Sequence, residues 1–341
     1  METVNVGVLG ATGAVGQRFI EALADHPYFE LTALAASERS AGKPYARAAN
    51  WRLASALPDD IGKETVISMK PEEVEADIVF SALPADVAQT VEPAFARAGV
   101  TVASNASAFR QEPDVPLIIP EVNSDHLELL DIQREKRNWD GAIVTNPNCS
   151  VIMLAVSLKP LVQFGIEDVK VATMQAVSGA GYDGVSSMAI LDNVVPYIGG
   201  EEEKVENEAQ KLLGTFDGSS IVNAPFDVSA SCHRVPVLDG HTEAVWIQLA
   251  DDPTPAEVRD AFLNFDPRLD LPTEPEHVII VHDEPDRPQP RLDRDRGGGM
   301  SVSVGRIREG IRYIAMGHNT VRGAAGASVL NAEFMLSQGL L

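Results

Sequence analysis

The amino-terminal segment combines a short apolar strand, a glycine-rich turn and an amphipathic helix. Val4–Leu9 is predicted as a strand, and Gly10-Ala11-Thr12-Gly13-Ala14-Val15-Gly16 follows it directly. Apolar residues between positions 15 and 23 then recur at helical spacing. Such glycines permit a tight turn and close backbone approach, and a helix N-terminus attracts phosphate. The segment therefore predicts a dinucleotide-binding site at the start of an α/β fold, with a plain tight turn as the alternative.

The turn after the second predicted strand, at residues 31–35, indicates which nicotinamide cofactor binds. An acidic residue there normally holds the ribose of NAD, whereas this chain reads Ser37-Glu38-Arg39-Ser40. An arginine flanked by serines suits a ribose 2′-phosphate, so NADP is predicted, although Glu38 could hold the NAD ribose or face solvent. The cofactor-binding residues predicted from the two turns are Gly10, Thr12, Gly13, Ala14, Val15, Ser37, Arg39 and Ser40.

Strand and helix patterns keep alternating through the first part of the chain. This alternation predicts a Rossmann-type, doubly wound dinucleotide-binding domain over residues 1–148. Its further predicted elements are strands at 77–82, 101–103, 117–119 and 142–145 and a helix at 86–98.

After residue 149 the predicted strands are longer and less regularly separated by helices. Asp239-Gly240 predicts one β-hairpin and Glu309-Gly310 another. The pattern predicts an α+β domain with a mixed or antiparallel sheet over residues 149–318. The closing helix, within residues 319–341, is expected to pack back on the first domain.

The size, charge and cysteine content narrow the class of protein. The length of 341 residues fits two domains of roughly 150 residues each. No apolar run reaches the roughly 20 residues that span a membrane, and no signal peptide is apparent. With only two cysteines, the chain is expected in a reducing cytoplasm. The net charge of -23 should repel nucleic acid and anionic membranes, and it favours a salt-adapted protein over a moderately acidic bacterial enzyme.

The motif Asn146-Pro147-Asn148-Cys149-Ser150 lies where the two regions meet. Proline discourages helix in the residue before it and a helical apolar repeat follows, so Cys149 is predicted at or next to a helix N-terminus. There the unpaired amides and the helix dipole favour a thiolate. Cys149 is therefore a candidate nucleophile, and the alternative is a small buried apolar residue in a turn.

A thiolate combined with a nicotinamide site suggests one chemistry above others. The cysteine adds to an aldehyde, a hydride passes to the nicotinamide, and a thioester remains for a second nucleophile. Such a site needs a general acid/base, and His241 is preferred among seven histidines because it follows the turn Asp239-Gly240 on rigid structure. Arg234 lies on the preceding strand, and Arg110 follows a strand end where it could hold an anion or face solvent.

Several tracts together resemble aspartate-β-semialdehyde dehydrogenases. Besides the opening glycine turn and the cysteine motif, they are Gln175-Ala176-Val177-Ser178-Gly179-Ala180-Gly181, residues 201–204, Arg234-Val235-Pro236-Val237-Leu238-Asp239-Gly240-His241 and Asn319-Thr320-Val321-Arg322-Gly323-Ala324-Ala325. The tract Pro288-Gln289-Pro290-Arg291-Leu292-Asp293-Arg294-Asp295 resembles the archaeal and fungal branch. The resemblance covers nearly the whole chain in order, and the cysteine motif combined with the Arg/His tract is its most specific part.

The resemblance implies roles for residues in these tracts. The catalytic residues are Cys149 as nucleophile, His241 as general acid/base and Gln175 as an orienting group. The substrate-binding residues are Arg234 for the α-carboxylate, Glu201 or Glu202 for the α-amino group, Lys204 and Arg110 for the phosphate, and Asn148. The nicotinamide end of the cofactor meets Asn319, Ser178 and Gly179. By its surroundings alone, Lys204 would belong to a solvated charged helix face.

The same resemblance implies a reaction and an assembly. The reaction is NADPH-dependent reductive dephosphorylation of L-4-aspartyl phosphate to L-aspartate 4-semialdehyde through a cysteine thioester, in lysine, threonine, methionine and isoleucine biosynthesis. The second domain would also carry dimerisation, giving a homodimer or homotetramer with small-molecule ligands and no metal, nucleic-acid or membrane partner. The alternatives are a malonyl-CoA or succinyl-CoA reductase on the same scaffold and a non-catalytic NADP-binding regulator.

Overall fold

The computed structural model describes residues 3–341, and its amino-terminal half is built on a six-stranded parallel sheet. In chain order its strands are β1 (Val4–Leu9), β2 (Phe29–Ala36), β3 (Ile67–Ser68), β4 (Ile78–Ser81), β5 (Thr101–Ser104) and β6 (Ala142–Thr145). Across the sheet the order is β3-β2-β1-β4-β5-β6, and every neighbouring pair is parallel. The order therefore reverses between β1 and β4, where doubly wound sheets open a crevice for a dinucleotide. This confirms the predicted Rossmann-type architecture.

Helices cover both faces of this sheet. They are α1 (Ala14–Leu23), α2 (Tyr45–Ala48), α3 (Asp59–Lys63), α4 (Ala85–Arg97), α5 (Pro120–Asn123) and α6 (Leu129–Arg137), with short 3-10 turns at Pro71–Glu73, Ser107–Phe109 and Ser124–Glu128. The predicted strand at 117–119 is wrong, because Leu117 makes only an isolated parallel bridge to Thr145. Pro116 lacks an N–H for a ladder and Pro120 begins α5, so the extended segment ends after a few residues.

The carboxy-terminal half is built on a second six-stranded sheet, which is mixed. In chain order the remaining strands are β7 (Ile166–Gln175), β8 (Thr215–Phe216), β9 (Ile221–Val222), β10 (Asp227–Arg234), β11 (His241–Leu249), β12 (Ile279–His282), β13 (Val302–Arg308) and β14 (Arg312–Gly317). The order is β10-β7-β11-β14-β13-β12, and β8 and β9 form a separate pair. The outermost pairs, β10 with β7 and β12 with β13, are parallel and the others antiparallel. The predicted hairpin at Glu309-Gly310 is confirmed as β13 and β14.

The hairpin predicted at Asp239-Gly240 is wrong. β7 lies between β10 and β11, and both strands pair with it rather than with each other. The connecting residues 235–240 pass over the end of β7, where Val177 N–H donates to the Val237 carbonyl at 2.8 Å. Gly240 has a φ of 99°, so the dipeptide does turn sharply. The pairing partner is nevertheless set by contacts with a distant strand, which no local turn signal reports.

One buried helix joins the two halves. α7 (Cys149–Leu158) starts a few residues after β6, and every residue from Ser150 to its end is buried. Its apolar side chains pack with Val171 of β7 and Val245 of β11 in one core. The other helices of this half are α8 (Ser187–Ile190), α9 (Glu201–Leu212), α10 (Pro255–Leu263), α11 (Pro290–Asp293) and α12 (Gly326–Ser337), with 3-10 turns at Lys159–Phe164, Val177–Ala180 and Arg296–Gly299.

The closing helix α12 returns to the first sheet. Val329 and Met335 share a core with Val6 and Val8 of β1, because the chain crosses back after β14. A π-helical turn, Val321–Ala325, leads into α12 and lies near α7. The domain limits at residues 148 and 318 stay predictions. Within residues 3–341 no helix is both long and apolar enough to cross a membrane.

Candidate active site

Cys149 is the first residue of α7, as its motif predicts. Asn148 caps the helix, because its Oδ1 accepts hydrogen bonds from the backbone N–H groups of Ser150 at 2.9 Å and Val151 at 3.3 Å. The thiol therefore sits beside the positive end of a capped helix. Cys149 remains partly accessible although the rest of α7 is buried.

His241 lies directly opposite the thiol. Its Nε2 is 3.2 Å from Cys149 Sγ, and the ring is fully buried. On the other side of the ring, Nδ1 accepts the backbone N–H of Ala176 at 3.0 Å. The structure thus brings together the two residues that the sequence analysis proposed as nucleophile and acid/base.

Three neighbouring strands bring their polar residues to one edge of the second sheet. Gln175 ends β7 and is the register partner of Arg234, which ends the parallel strand β10. β11 runs antiparallel to β7 and begins at this edge with His241. Arg234 is buried, and its Nη1 donates to the Ala176 carbonyl at 2.7 Å. The Gln175 amide donates to Thr173 Oγ1 at 3.3 Å.

Two glycines leave the space that this arrangement needs. A Cβ on Gly179 would lie 2.7 Å from Arg234 Nη1 and 3.1 Å from His241 Cε1. A Cβ on Gly323 would lie 2.7 Å from the Cβ of Cys149. Gly323 belongs to the π-helical turn, and such turns are frequent at functional sites. The sequence analysis missed the packing of Gly323 against the nucleophile, because no spacing rule links residues so far apart.

Glutamates at the start of α9 lie on one side of the site. Glu201 is buried, accepts from Asn148 Nδ2 at 2.9 Å and from Lys204 Nζ at 3.3 Å. Glu202 instead accepts the backbone N–H of Cys232 on β10 at 3.0 Å. Of the two glutamates proposed for the substrate amino group, Glu201 is therefore the one beside the cysteine motif.

A third acidic residue on α9 was missed by the sequence analysis. Glu208 accepts the backbone N–H of Asn148 at 2.6 Å and the Nη1 of Arg110 at 3.1 Å. Arg110 also donates to the Asn105 carbonyl at 2.8 Å and is buried, so its alternative as a solvated arginine is wrong. The sequence does carry a signal for Glu208, because residues 201, 204, 205 and 208 follow helical spacing and therefore share one face of the helix.

Burial dominates the electrostatics of the thiol. Burial, the larger cause, and the nearby Glu201 carboxylate together raise the pKa of the Cys149 thiol to about 12. Arg110, Arg234 and the backbone N–H of Ser150 act in the opposite direction. A thiolate here depends on cationic groups and hydrogen-bond donors that are aimed at the sulfur.

Burial also keeps the imidazole neutral. Burial, the largest cause, and the neighbouring Arg234 and His318 together lower the pKa of His241 to about 3. Burial lowers the pKa of the Arg234 guanidinium as well. The resulting pair is a neutral ring facing a sulfur, with Arg234 as the nearby cation.

The predicted nicotinamide contacts also meet at this edge. Asn319 Oδ1 accepts the backbone N–H of Gly240 at 2.8 Å, and Asn319 Nδ2 donates to Ser178 Oγ at 2.9 Å. Asn319 thus ties the Ser178-Gly179 turn to the residue before His241. The role of these residues toward a cofactor stays a prediction.

The glycine turn after β1 suits a pyrophosphate. Gly10 has a φ of 76°, and a Cβ there would lie 2.8 Å from the Ala82 carbonyl oxygen. Gly16 permits close packing of α1, because its Cβ would lie 2.3 Å from the Gly10 carbonyl oxygen. No side chain caps α1 at Gly13, so the first-turn amides face the turn. Thr12, Ala14 and Val15 are half-exposed along the turn, and Ser37, Arg39 and Ser40 form an accessible turn after β2.

Glu243 lies two residues after His241 on the same buried face of β11. Its side chain is fully buried, and within residues 3–341 neither carboxylate oxygen has a hydrogen-bond partner. Burial raises the pKa of this carboxyl well above its usual range. Burial without a hydrogen-bond partner therefore favours the neutral, protonated form of Glu243 in the folded protein.

Replacing Glu243 by glutamine should raise the free energy of unfolding increasingly as the pH rises. In the unfolded chain the carboxyl ionises above about pH 4.3, whereas the folded wild type keeps the proton, so wild-type stability falls by up to ~1.4 kcal/mol per pH unit above that point. Glutamine does not titrate. Urea unfolding at about pH 5, 6.5 and 8 measures the difference, and the exposed Glu309→Gln serves as the control. A pH-independent difference would contradict the expectation.

Two family models match the chain. One is described as "Semialdehyde dehydrogenase, NAD binding domain" and matches residues 5–130. The other is described as "Semialdehyde dehydrogenase, dimerisation domain" and matches residues 158–322. The first match spans the parallel sheet except for Val4 and strand β6, and the second contains the whole mixed sheet.

Relatives match the chain over nearly its whole length. An aspartate-semialdehyde dehydrogenase of Archaeoglobus fulgidus is 60% identical, with 99% of each chain covered. That of Schizosaccharomyces pombe is 48% identical, with 100% of each covered. A crystal structure of the Candida albicans enzyme with NADP is 44% identical and superposes with a TM-score of 0.91 over 100% of both chains. Because both the sequence and the fold match at this level from end to end, the chain belongs to the aspartate-semialdehyde dehydrogenase family.

Proposed function

We propose that this protein carries out the NADPH-dependent reductive dephosphorylation of L-4-aspartyl phosphate to L-aspartate 4-semialdehyde, and the reverse phosphorylating oxidation. The observation that carries the proposal is the 3.2 Å contact between Cys149 Sγ and His241 Nε2, with Arg234 at the same sheet edge. The names of the relatives support the substrate. The reaction belongs to amino-acid biosynthesis leading to lysine, threonine, methionine and isoleucine.

Cys149 is the nucleophile in this proposal. Its sulfur attacks the acyl carbon of aspartyl phosphate, phosphate leaves, and a thioester forms on the protein. NADPH, when bound, supplies the hydride that reduces the acyl carbon. The C–S bond then breaks, and the aldehyde and the free thiolate result. Gln175 orients the reacting atoms, and His241 acts as the general acid/base.

Charged residues around the thiol bind the ends of the substrate. The planar guanidinium of Arg234 binds the α-carboxylate through two parallel hydrogen bonds, and the Glu201 carboxylate binds the α-amino group. Lys204 and Arg110 bind the phosphate, and Asn148 keeps Glu201 in place through its 2.9 Å hydrogen bond. Arg110 is already paired with Glu208, so phosphate would share this arginine with a carboxylate.

The cofactor is NADP in this proposal. The glycine turn and α1 hold the pyrophosphate, Arg39 with its flanking serines holds the 2′-phosphate, and Asn319 with Ser178 and Gly179 meets the nicotinamide. The Candida albicans structure with NADP supports this choice. Steady-state rates with NADP and with NAD, at equal concentrations, measure the preference.

A paired-substrate assay tests the function. The protein is supplied with aspartate semialdehyde, phosphate and NADP in one reaction, and with malonyl-CoA or succinyl-CoA and NADPH in the other. Phosphate-dependent formation of NADPH in the first reaction alone supports the proposal. Turnover only with an acyl-CoA would identify the reductase alternative, and turnover with neither would indicate the non-catalytic regulator.

We also propose a homodimer or a homotetramer. The family model for the dimerisation domain covers the mixed sheet, and alternate residues of β7, β10 and β11 on one face of that sheet are half-exposed or exposed. Trp246 on β11 is 42% exposed there, beside Lys170 of β7 and Ser231 of β10. Light scattering coupled to gel filtration should give two or four times the chain mass of 36.6 kDa.

Activity and stability should hold or rise in molar KCl if the acidity is an adaptation to salt. The net charge of -23 produces self-repulsion, which salt screens over a Debye length of roughly 3 Å at 1 M. Melting temperature and initial rate measured from dilute buffer to molar KCl test this expectation. Full activity in dilute buffer together with loss in concentrated KCl would contradict it. The cytoplasm is the proposed location because a reducing compartment keeps the free Cys149 and Cys232 as thiols.

A further inference from the structure

Lys211 is a buried lysine on α9 that the proposed mechanism does not use. Only 5% of this residue is exposed. Its Nζ donates to three backbone carbonyls, those of Arg110 at 2.7 Å, Glu112 at 2.9 Å and Val115 at 3.0 Å. An ammonium group has three donors, so these hydrogen bonds use all of them. A side chain from the carboxy-terminal half of the chain thus holds a loop of the amino-terminal half, residues 110–115.

Arg110, the first residue of this loop, is held by α9 at its backbone and at its side chain. Lys211 binds its carbonyl, and Glu208 Oε1 accepts from its Nη1 at 3.1 Å. Residues 208 and 211 are three apart and share a helix face, so both reach the same arginine. The Nε of Arg110 is buried and has no hydrogen-bond partner among residues 3–341. The protein therefore fixes this guanidinium without pairing all of its donors.

α9 is a rigid support for these contacts. Three of its apolar residues pack in the core that also contains α7, and they are Val205, Ala209 and Leu212. Near its start, Glu201 accepts from Asn148 Nδ2 at 2.9 Å, and Asn148 caps the helix that begins with Cys149. One helix is thus tied both to the cysteine motif and to the loop of Arg110. It sets where the guanidinium lies relative to the sulfur.

The charge of Lys211 strengthens its hold on the loop. Burial is the cause that lowers the pKa of Lys211 to about 8, and the nearby Glu208, Asp114 and Glu112 act in the opposite direction. The amine is therefore mainly cationic at pH 7. A charged donor binds a carbonyl more strongly than a neutral one, so its loss would release the backbone of residues 110–115.

We propose that Lys211 is a positioning residue for the phosphate-binding part of the active site. Its ammonium group fixes the backbone of residues 110–115, and Arg110 is thereby preorganised to bind the phosphate. The inference rests on the proposed function, in which Arg110 is a phosphate ligand. Lys211 acts through Arg110 and does not itself touch the substrate.

Replacing Lys211 by methionine, which has a similar length and no donor, should weaken phosphate binding selectively. We expect KM for phosphate to rise ~10–100-fold at pH 7, while KM for NADP stays within ~2-fold of wild type. The matched control is Lys136→Met, because Lys136 is exposed and contacts the same loop only through the Asp114 carboxylate at 3.5 Å. It should leave both constants unchanged. An equal rise in the two constants, or none, would overturn the proposal.

A double-mutant cycle tests whether Lys211 acts through Arg110. In an Arg110→Ala background, Lys211→Met should change KM for phosphate by no more than ~2-fold, because the group that it positions is gone. The same ~10–100-fold rise in both backgrounds would overturn the positioning role. Near-UV circular dichroism establishes that each variant folds. Lys211→Gln, which keeps N–H donors but no charge, replaces Lys211→Met if the latter does not fold.

A binding measurement without turnover separates this inference from the proposed function. Inorganic phosphate is added at constant ionic strength to the full chain with NADP, and the melting temperature is recorded. Phosphate should raise it in wild type and in Lys136→Met, and raise it less in Lys211→Met. Equal shifts in all three proteins, or no shift in wild type, would overturn the proposal. Failure of the proposed function would instead appear as absent turnover with aspartate semialdehyde, whatever the shifts.

Discussion

Replacing Cys149 by alanine is expected to abolish turnover and to leave NADPH binding intact. The sulfur beside His241 forms the proposed thioester, and removal of a nucleophile typically lowers kcat by ~10⁴-fold or more. The predicted cofactor residues lie in other elements, so they keep their positions. Phosphate-dependent reduction of NADP measures the first effect, and a fluorescence titration with NADPH measures the second.

The second cysteine provides the control for this experiment. Cys232 is buried on β10, and its backbone N–H donates to Glu202. Its side chain therefore belongs to the buried core and is not part of the Cys149–His241 pair. Cys232→Ala should retain most activity once the protein is shown to fold. Near-normal activity in Cys149→Ala would remove the thioester mechanism, and lost NADPH binding would show that the substitution disturbs more than the nucleophile.

Replacing Arg234 by lysine should raise KM by roughly 10–100-fold and also lower kcat. The guanidinium donates to the Ala176 carbonyl at 2.7 Å through its Nη1, which lies beside Gly179. A lysine ammonium is a point charge that cannot bind a carboxylate through two parallel hydrogen bonds. Burial already lowers the pKa of the Arg234 guanidinium, and a lysine in the same surroundings would hold its proton less firmly.

We expect kcat to fall because Arg234 and His241 both form hydrogen bonds with the backbone of Ala176. Arg234 holds the Ala176 carbonyl, and the N–H of Ala176 holds His241 Nδ1. Initial rates over a range of aspartate semialdehyde concentrations separate KM from kcat. The half-exposed Arg259, which pairs with Asp283 outside the site, supplies Arg259→Lys as the control. Wild-type kinetics in Arg234→Lys would exclude this arginine from the substrate site.

The first half of the fold could be predicted because its signals are local. The strand Val4–Leu9, the glycine turn and the helix that follows are adjacent in the chain, and each is recognised by its own periodicity. The strand β6 and the start of α7 at Cys149 were likewise predicted from neighbouring residues. The strand expected at 117–119 failed because two prolines interrupt its ladder.

The second half was harder because its sheet is assembled from distant strands. Asp239-Gly240 has the composition of a hairpin turn, but β7 pairs with both flanking strands and separates them. The same insertion places Gln175 between Arg234 and His241 at one edge. The substrate-binding roles came from family resemblance, while Glu208 and Gly323 became visible only once α9 and the π-helical turn were packed around Cys149.

The sequence by itself determined the glycine turn after β1 and the helix that starts at Cys149, because those features depend on residues that are neighbours in the chain. The family resemblance proposed the reactive side chains. Only the tertiary structure decided that His241, 92 residues from Cys149, faces its sulfur. It also decided that a backbone N–H 65 residues away, that of Ala176, holds the other side of the ring. Hydrogen-bond direction depends on which groups meet in space, and no spacing along a single chain records it.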